Sequence, residues 1–216
     1  MRLMIDLYDA ELMRQDESIG SLLDEMREMG MLANTLVIVT ADHGEEFLEH
    51  GGVAHSPKLY DELLRVPLIL CIPGWGGHMV VDDVVGLLDL APTVLDLLGI
   101  EKPQAWRGKS MVALMRGERT QAEEYGVIAE VLAGNRRKTA YRTDKWKLIA
   151  NEGEGGEIDY ELYDVENDPK ESCNVADRNP EVVRRLGSRI KEHLLRENAT
   201  SQQAERVRIR QRVRRL

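Results

Sequence analysis

The chain has 216 residues, 43% of them apolar, enough to bury a genuine core, and a formal charge of −9. That acidic balance argues against a nucleic-acid binder, whose phosphate contacts need a basic face. The longest apolar stretch, Val66 to Ile72, is too short to cross a bilayer, and no signal-peptide order of basic, apolar and small residues opens the sequence. Cys71 and Cys173 form neither a CxxC pair nor part of a Cys/His cluster and read as free thiols.

In chain order, "MIDLYDAELMRQDESIGSLLDEMREMG" places Ile5, Tyr8, Leu12, Ile19, Leu22, Leu23 and Met26 at helical spacing, with Gly30 as the stop. "TLVIVT", Thr35 to Thr40, is an unbroken apolar run that predicts a buried parallel strand covered on both faces. "VPLILCI", Val66 to Ile72, predicts a second strand, with "LYDELLR" between them as a helical turn. "DVVGLLDLAPTVLDLLGI" predicts a short strand over Val84 to Leu88 and a helix capped by Asp89 and stopped at Gly99.

From about Glu118 the pattern changes to short alternating runs separated by "AGNRR", "DK" and "GEGGEID", which predicts an antiparallel meander. Val182, Val183, Leu186, Ile190, His193 and Leu194 then recur at helical spacing behind Pro180, a helix to pack on that sheet. The last stretch, "ERVRIRQRVRRL", carries six Arg and reads as a solvated basic tail. The expected organisation is residues 1–117 as an α/β part, 118–200 as a small α+β subdomain and 201–216 as the tail. Few strands and one long helix leave the α/β part short of the elements needed to cover its sheet.

The chemistry-bearing stretch is "VIVTADHGEEFLEHGGVAHSPKLYDE", Val37 to Glu62. Asp42 and His43 follow directly on a strand, where open α/β sheets gather their reacting groups. A carboxylate oxygen and an imidazole nitrogen suit a divalent cation, and Gly44 lets adjacent residues point toward one site. The rival reading is turn residues with a surface His. His50, His55 and Lys58 come next, with Gly51 and Gly52 folding the chain back; a Lys or His beside a metal can hold an anionic substrate's oxygens. Glu45, Glu46 and Glu49 read as the solvated face of a short helix, and His78 and His193 as structural.

The succession "DESIGSLLDEMREMGMLANTLVIVTADHGEEFLEHG", "KLYDELLRVPLIL", "LLDLAPTVLDLLGI" and "RGKSM", followed by "YRTDKWKLI" and "ELYDVENDPKESCNVAD", closely resembles the type I sulfatases of the alkaline phosphatase superfamily, to about residue 197. The resemblance implies part of an alkaline-phosphatase-like mixed sheet with flanking helices, then a small subdomain of antiparallel sheet and helix. Asp42 and His43 look like two ligands of the active-site cation, His43 standing where many sulfatases have Asn. His55 and Lys58 are the candidates for the basic residue that binds the sulfate group, the spacing to Tyr60 favouring His55.

The departures are as informative. The family's nucleophile, a formylglycine made within C-x-P-x-R or S-x-P-x-R, is not matched: "CIPGW" at Cys71 has Trp75 in place of the Arg, and "CNVAD" at Cys173 does not fit. The resemblance is therefore to the C-terminal half to third of a sulfatase. It implies a metal-dependent sulfuric ester hydrolase that is silent in this chain alone, with calcium as the cofactor and manganese the alternative. A sulfated small molecule or glycan would be the substrate of the full enzyme, and the missing N-terminal half a possible partner. The alternatives are a phosphodiesterase, phosphonate monoester hydrolase or phosphoethanolamine transferase of the same superfamily, and, in another class, an inactive binding module. The compartment is left open.

Overall fold

The computed structural model describes the backbone of residues 1–118 and 125–213, and the side chains of these residues to 197 and of 199. Two compact units emerge, residues 1–56 with 60–80, and residues 57–59 with 81–216. That division follows contact density and falls before residue 81, whereas the change from helix-and-strand to hairpin patterning falls near 118.

In the first unit, α1 (Arg2–Glu28) ends where its apolar periodicity does, and Gly30 takes φ 69°, the left-handed conformation that closes a helix. No residue of α1 is buried; Ile5, Tyr8, Leu12, Ile19 and Leu22 stay between 37% and 55% exposed. Tyr8 meets Phe47 edge-on, with ring centroids 5.3 Å apart, and much of the rest of the stripe stays exposed. Strand β1 (Val37–Thr40) pairs with β4 (Leu68–Cys71) in the register Val37 to Cys71 and Thr40 to Leu68. The pair is antiparallel, and none of its residues is buried, which corrects the expected buried parallel strand. An apolar run records that a strand's faces suit burial; it carries no information on direction, and among the described residues these two strands pair only with each other. Between them lie the two-residue strands β2 (Glu46–Phe47) and β3 (Val53–Ala54) and the single helical turn α2 (Asp61–Leu64).

The second unit has a 3-10 turn at Leu87–Asp89 where a strand over Val84 to Leu88 was expected. The reason is Asp89, buried, whose Oδ2 accepts from the Gly86 amide at 2.9 Å and whose Oδ1 accepts from the Lys109 amide at 2.8 Å. Those bonds curl the backbone before it can extend. Helix α3 (Leu90–Leu97) follows, Gly99 at φ 68° ends it, and α4 (Val112–Met115) adds one turn. The meander is as the sequence predicts: β5 (Val127–Ala133), β6 (Arg136–Arg142), β7 (Trp146–Glu152) and β8 (Ile158–Asp164) are antiparallel in chain order. Helix α5 (Pro180–Val213) lays Val182, Leu186 and Ile190 on Tyr141, Leu148 and Leu162, the unit's apolar core. Its backbone continues into the basic tail, whose side chains lie outside the described residues.

Candidate metal centre

The backbone leaves β1 at Thr40 and turns at Asp42 and His43. The Asp42 Oδ1 accepts from the His43 amide at 3.0 Å and lies 3.9 Å from His43 Nε2. The other ring nitrogen, Nδ1, donates to the Gly44 carbonyl at 2.9 Å, which fixes the tautomer and leaves Nε2 for a ligand. That hydrogen bond raises the His43 pKa most; burial opposes it, and the Asp42 and Glu45 carboxylates add to the rise. Gly44 is required by a close approach: its amide donates to the Leu63 carbonyl at 2.8 Å, and a Cβ there would stand 2.0 Å from the Glu62 carbonyl oxygen.

The next stretch is not the solvated helix that its three Glu suggested. Glu46 is fully buried. Its Oε1 accepts from the amides of His50 at 3.0 Å and Gly52 at 2.7 Å, and its Oε2 accepts from Ser56 Oγ at 2.8 Å. One carboxylate thus ties three points of the 46–56 loop, and a helix would have spent those amides on carbonyls instead. Gly51 at φ 78° makes the fold-back, and Glu49 accepts from the Phe47 amide.

The result brings His55 back to the end of β1. His55 Nδ1 lies 3.1 Å from Glu45 Oε1, the rings of His43 and His55 have centroids 5.0 Å apart, and the ligand atoms of His43, Glu45 and His55 all lie within 4.8 Å of one another. Asp42, with its side chain 90% exposed, sits beside this cluster through His43. Of the residues singled out in the sequence, the structure therefore gathers Asp42, His43 and His55. Lys58 is half-buried in the 57–59 stretch that belongs to the second unit. Glu45 was missed, and its signal was its place two residues beyond His43, within one turn of the loop.

His50 is committed elsewhere, with Nδ1 2.6 Å from Glu62 Oε1 and its ring stacked on Tyr60 at 3.7 Å. His78 is exposed, and His193 bonds Glu130 through Nε2 at 3.0 Å. Two imidazoles and one carboxylate whose ligand atoms lie within 4.8 Å of one another are donors of a kind that suits a divalent cation, and neighbouring groups orient them.

A strand ending in such a cluster, followed by a hairpin meander with a helix laid on it, is a mixed helix-and-sheet architecture with a small α+β subdomain. Residues 36–199 match the family model for the C-terminal region of N-sulphoglucosamine sulphohydrolase. The chain belongs to the sulfatase family, as its C-terminal portion, and has the alkaline-phosphatase-like fold of that family in part. Arylsulfatase K of Bos taurus is 31% identical over 192 residues, which are 85% of this chain and 35% of the relative. The chain thus spans about a third of the length of the curated relatives it matches. The solved structure of BT4656 in complex with its substrate D-glucosamine-2-N,6-O-disulfate aligns with a TM-score of 0.67 at 27% identity, over 82% of this chain and 37% of that one. The phosphonate monoester hydrolase SpPMH from Silicibacter pomeroyi aligns with a TM-score of 0.70 at 25% identity, over 84% of this chain and 38% of that one. Among the described residues no helix is long and apolar enough to cross a membrane.

Proposed function

We propose that this chain carries one side of the cation centre of a metal-dependent sulfuric ester hydrolase, and that its attacking group belongs to sequence N-terminal to these residues in the relatives. The observation that carries the reading is the convergence of His43, Glu45 and His55 beside Asp42 at the end of β1. Asp42 and His43 hold the cation, which when bound polarises the ester's sulfate oxygens. His55, its Nδ1 3.1 Å from Glu45 Oε1, is the group that receives the sulfate, with Lys58 the alternative for that role. Calcium suits the carboxylates, and the imidazoles favour manganese. The substrate class is a sulfated sugar or other small sulfate ester.

Alone the chain turns nothing over, because it contains no C-x-P-x-R or S-x-P-x-R nucleophile motif. Its partner is the N-terminal portion of the fold, and the largely exposed apolar stripe of α1 supports that reading. A second reading, phosphonate monoester hydrolysis on the same scaffold, is favoured by the likeness to SpPMH. The test is calorimetry of the chain with calcium and manganese, on the wild type and on Asp42→Ala/His43→Ala. Saturable binding that the double variant loses is expected; no binding by the wild type overturns a pre-formed centre, and metal-dependent hydrolysis of 4-nitrophenyl sulfate by the chain alone overturns its silence.

A further inference from the structure

The second unit contains a cavity of about 620 Å3, a size typical of small-molecule sites, among residues 88–193 and sharing none with the 42–55 cluster. Its wall carries Arg107, Lys109, Arg189 and His193 together with the rings of Trp106 and Tyr125. None of the described lining residues is Asp or Glu, in a chain whose formal charge is −9. Such a concave surface attracts an anion.

The balancing carboxylates do not line the cavity. Glu197 pairs with Arg107, Glu192 lies 3.8 Å from Arg189, and Glu130 accepts from His193 Nε2 at 3.0 Å. With Nε2 the donor, His193 Nδ1 is an acceptor, and Arg107 Nη1 donates to it at 3.3 Å. The guanidinium is thus held from two sides, while Lys109 Nζ, among the described residues, has a cation-π contact alone, 4.7 Å from the Tyr125 ring centroid. Tyr125 is itself fixed, its hydroxyl donating to Asp89 at 2.7 Å. Trp106 remains 41% exposed. Aromatic planes offer a surface for the apolar face of a ring, and Arg and Lys offer charge-assisted donors to a sulfate or carboxylate oxygen.

We propose that this cavity binds an anionic pyranose, a sugar ring bearing a sulfate ester or a carboxylate, at a place separate from the cation centre. A bare anion would leave the exposed Trp106 ring without a role, and a neutral sugar would leave without one the Lys109 ammonium, which pairs with no carboxylate among the described residues. The inference goes beyond the hydrolase reading and does not depend on it.

The experiment is calorimetry of the full chain with four probes: N-acetylglucosamine 6-sulfate, glucuronate, N-acetylglucosamine and sodium sulfate. At least one charged sugar is expected to bind saturably, tenfold or more tighter than N-acetylglucosamine and sodium sulfate. Trp106→Ala and Lys109→Ala, both at exposed side chains and checked by thermal unfolding, are each expected to weaken it tenfold or more. The preference between the two charged sugars identifies the recognised group as sulfate ester or carboxylate. Asp42→Ala/His43→Ala is expected to leave this binding unchanged while abolishing that of the metal, so the two readings fail separately. The proposal is overturned if neither charged sugar binds saturably, if both cavity variants bind like wild type, or if sodium sulfate binds as tightly as the sugars.

Discussion

Glu46 and Ser56 meet across ten residues of loop, Ser56 Oγ donating to a fully buried carboxylate that also takes the amides of His50 and Gly52. This carboxylate, rather than any regular element, delivers His55 to Glu45 and His43. Glu46→Gln replaces one acceptor oxygen with a donor NH2 that faces other donors. The expected cost is about 1–3 kcal/mol of stability. Hydrogen exchange at the His50 and Gly52 amides should accelerate, and metal affinity should fall at least tenfold. Unchanged exchange at those two amides would mean the loop is held by something else.

Gly44 and Gly20 make an opposed pair. At Gly44 a Cβ would collide with backbone, 2.0 Å from the Glu62 carbonyl oxygen, whereas at Gly20 in α1 nothing lies within 4 Å. Gly44→Ala is expected to destabilise by about 1–3 kcal/mol or more, since backbone gives way poorly, and to weaken metal binding. Gly20→Ala is expected to stabilise by about 0.5–1 kcal/mol through helix propensity. Denaturant melts of both variants check the pair; a Gly44→Ala chain as stable as wild type would contradict the close approach.

Where periodicity is set by one face of a repeating element, the sequence was readable. The stripe of α1 and the Val182, Leu186, Ile190 face of α5 came from helical spacing, and the hairpins of β5 to β8 from short alternating runs between turn residues. Where a buried carboxylate collects backbone amides, it was not. Asp89 turned a predicted strand into a 3-10 turn, and Glu46 turned a predicted helix into a tied loop. Both work through acceptor geometry, which has no period. The candidate residues Asp42, His43 and His55, read from the strand end and the Gly51-Gly52 fold-back, come near one another, while Glu45, which lies with them, was hidden among other Glu residues. Strand direction was invisible because an apolar run reads alike from either end.

Lys147 on β7 and Glu171 are a buried ion pair, 0% and 1% exposed, with Nζ 2.8 Å from Oε1 and 3.1 Å from Oε2. Removing only the cation takes the Lys147 charge away from a buried carboxylate, so Lys147→Met is expected to cost about 3–5 kcal/mol. Lys147→Met/Glu171→Gln removes the charge as well and should recover much of that loss. A double-mutant cycle in urea reads the coupling; additive losses would show the two side chains to be energetically independent.

Tyr125 supplies a pH test of the second unit. Burial first, and then the hydrogen bond to Asp89, push its phenol well above the usual range, so the folded chain keeps this proton when the unfolded chain has released it. Above about pH 10, where an unfolded Tyr ionises, the native state binds more protons than the unfolded state, and stability falls as pH rises. Tyr125→Phe has no proton to lose. It is expected to be less stable than wild type by about 1.5–3 kcal/mol at neutral pH, from the missing bond to the carboxylate, and the gap should narrow as pH rises past 10. Urea melts of both chains from pH 7 to 11 measure this; a gap that widens with pH would reverse the sign and place Tyr125 as an ionised group in the folded chain.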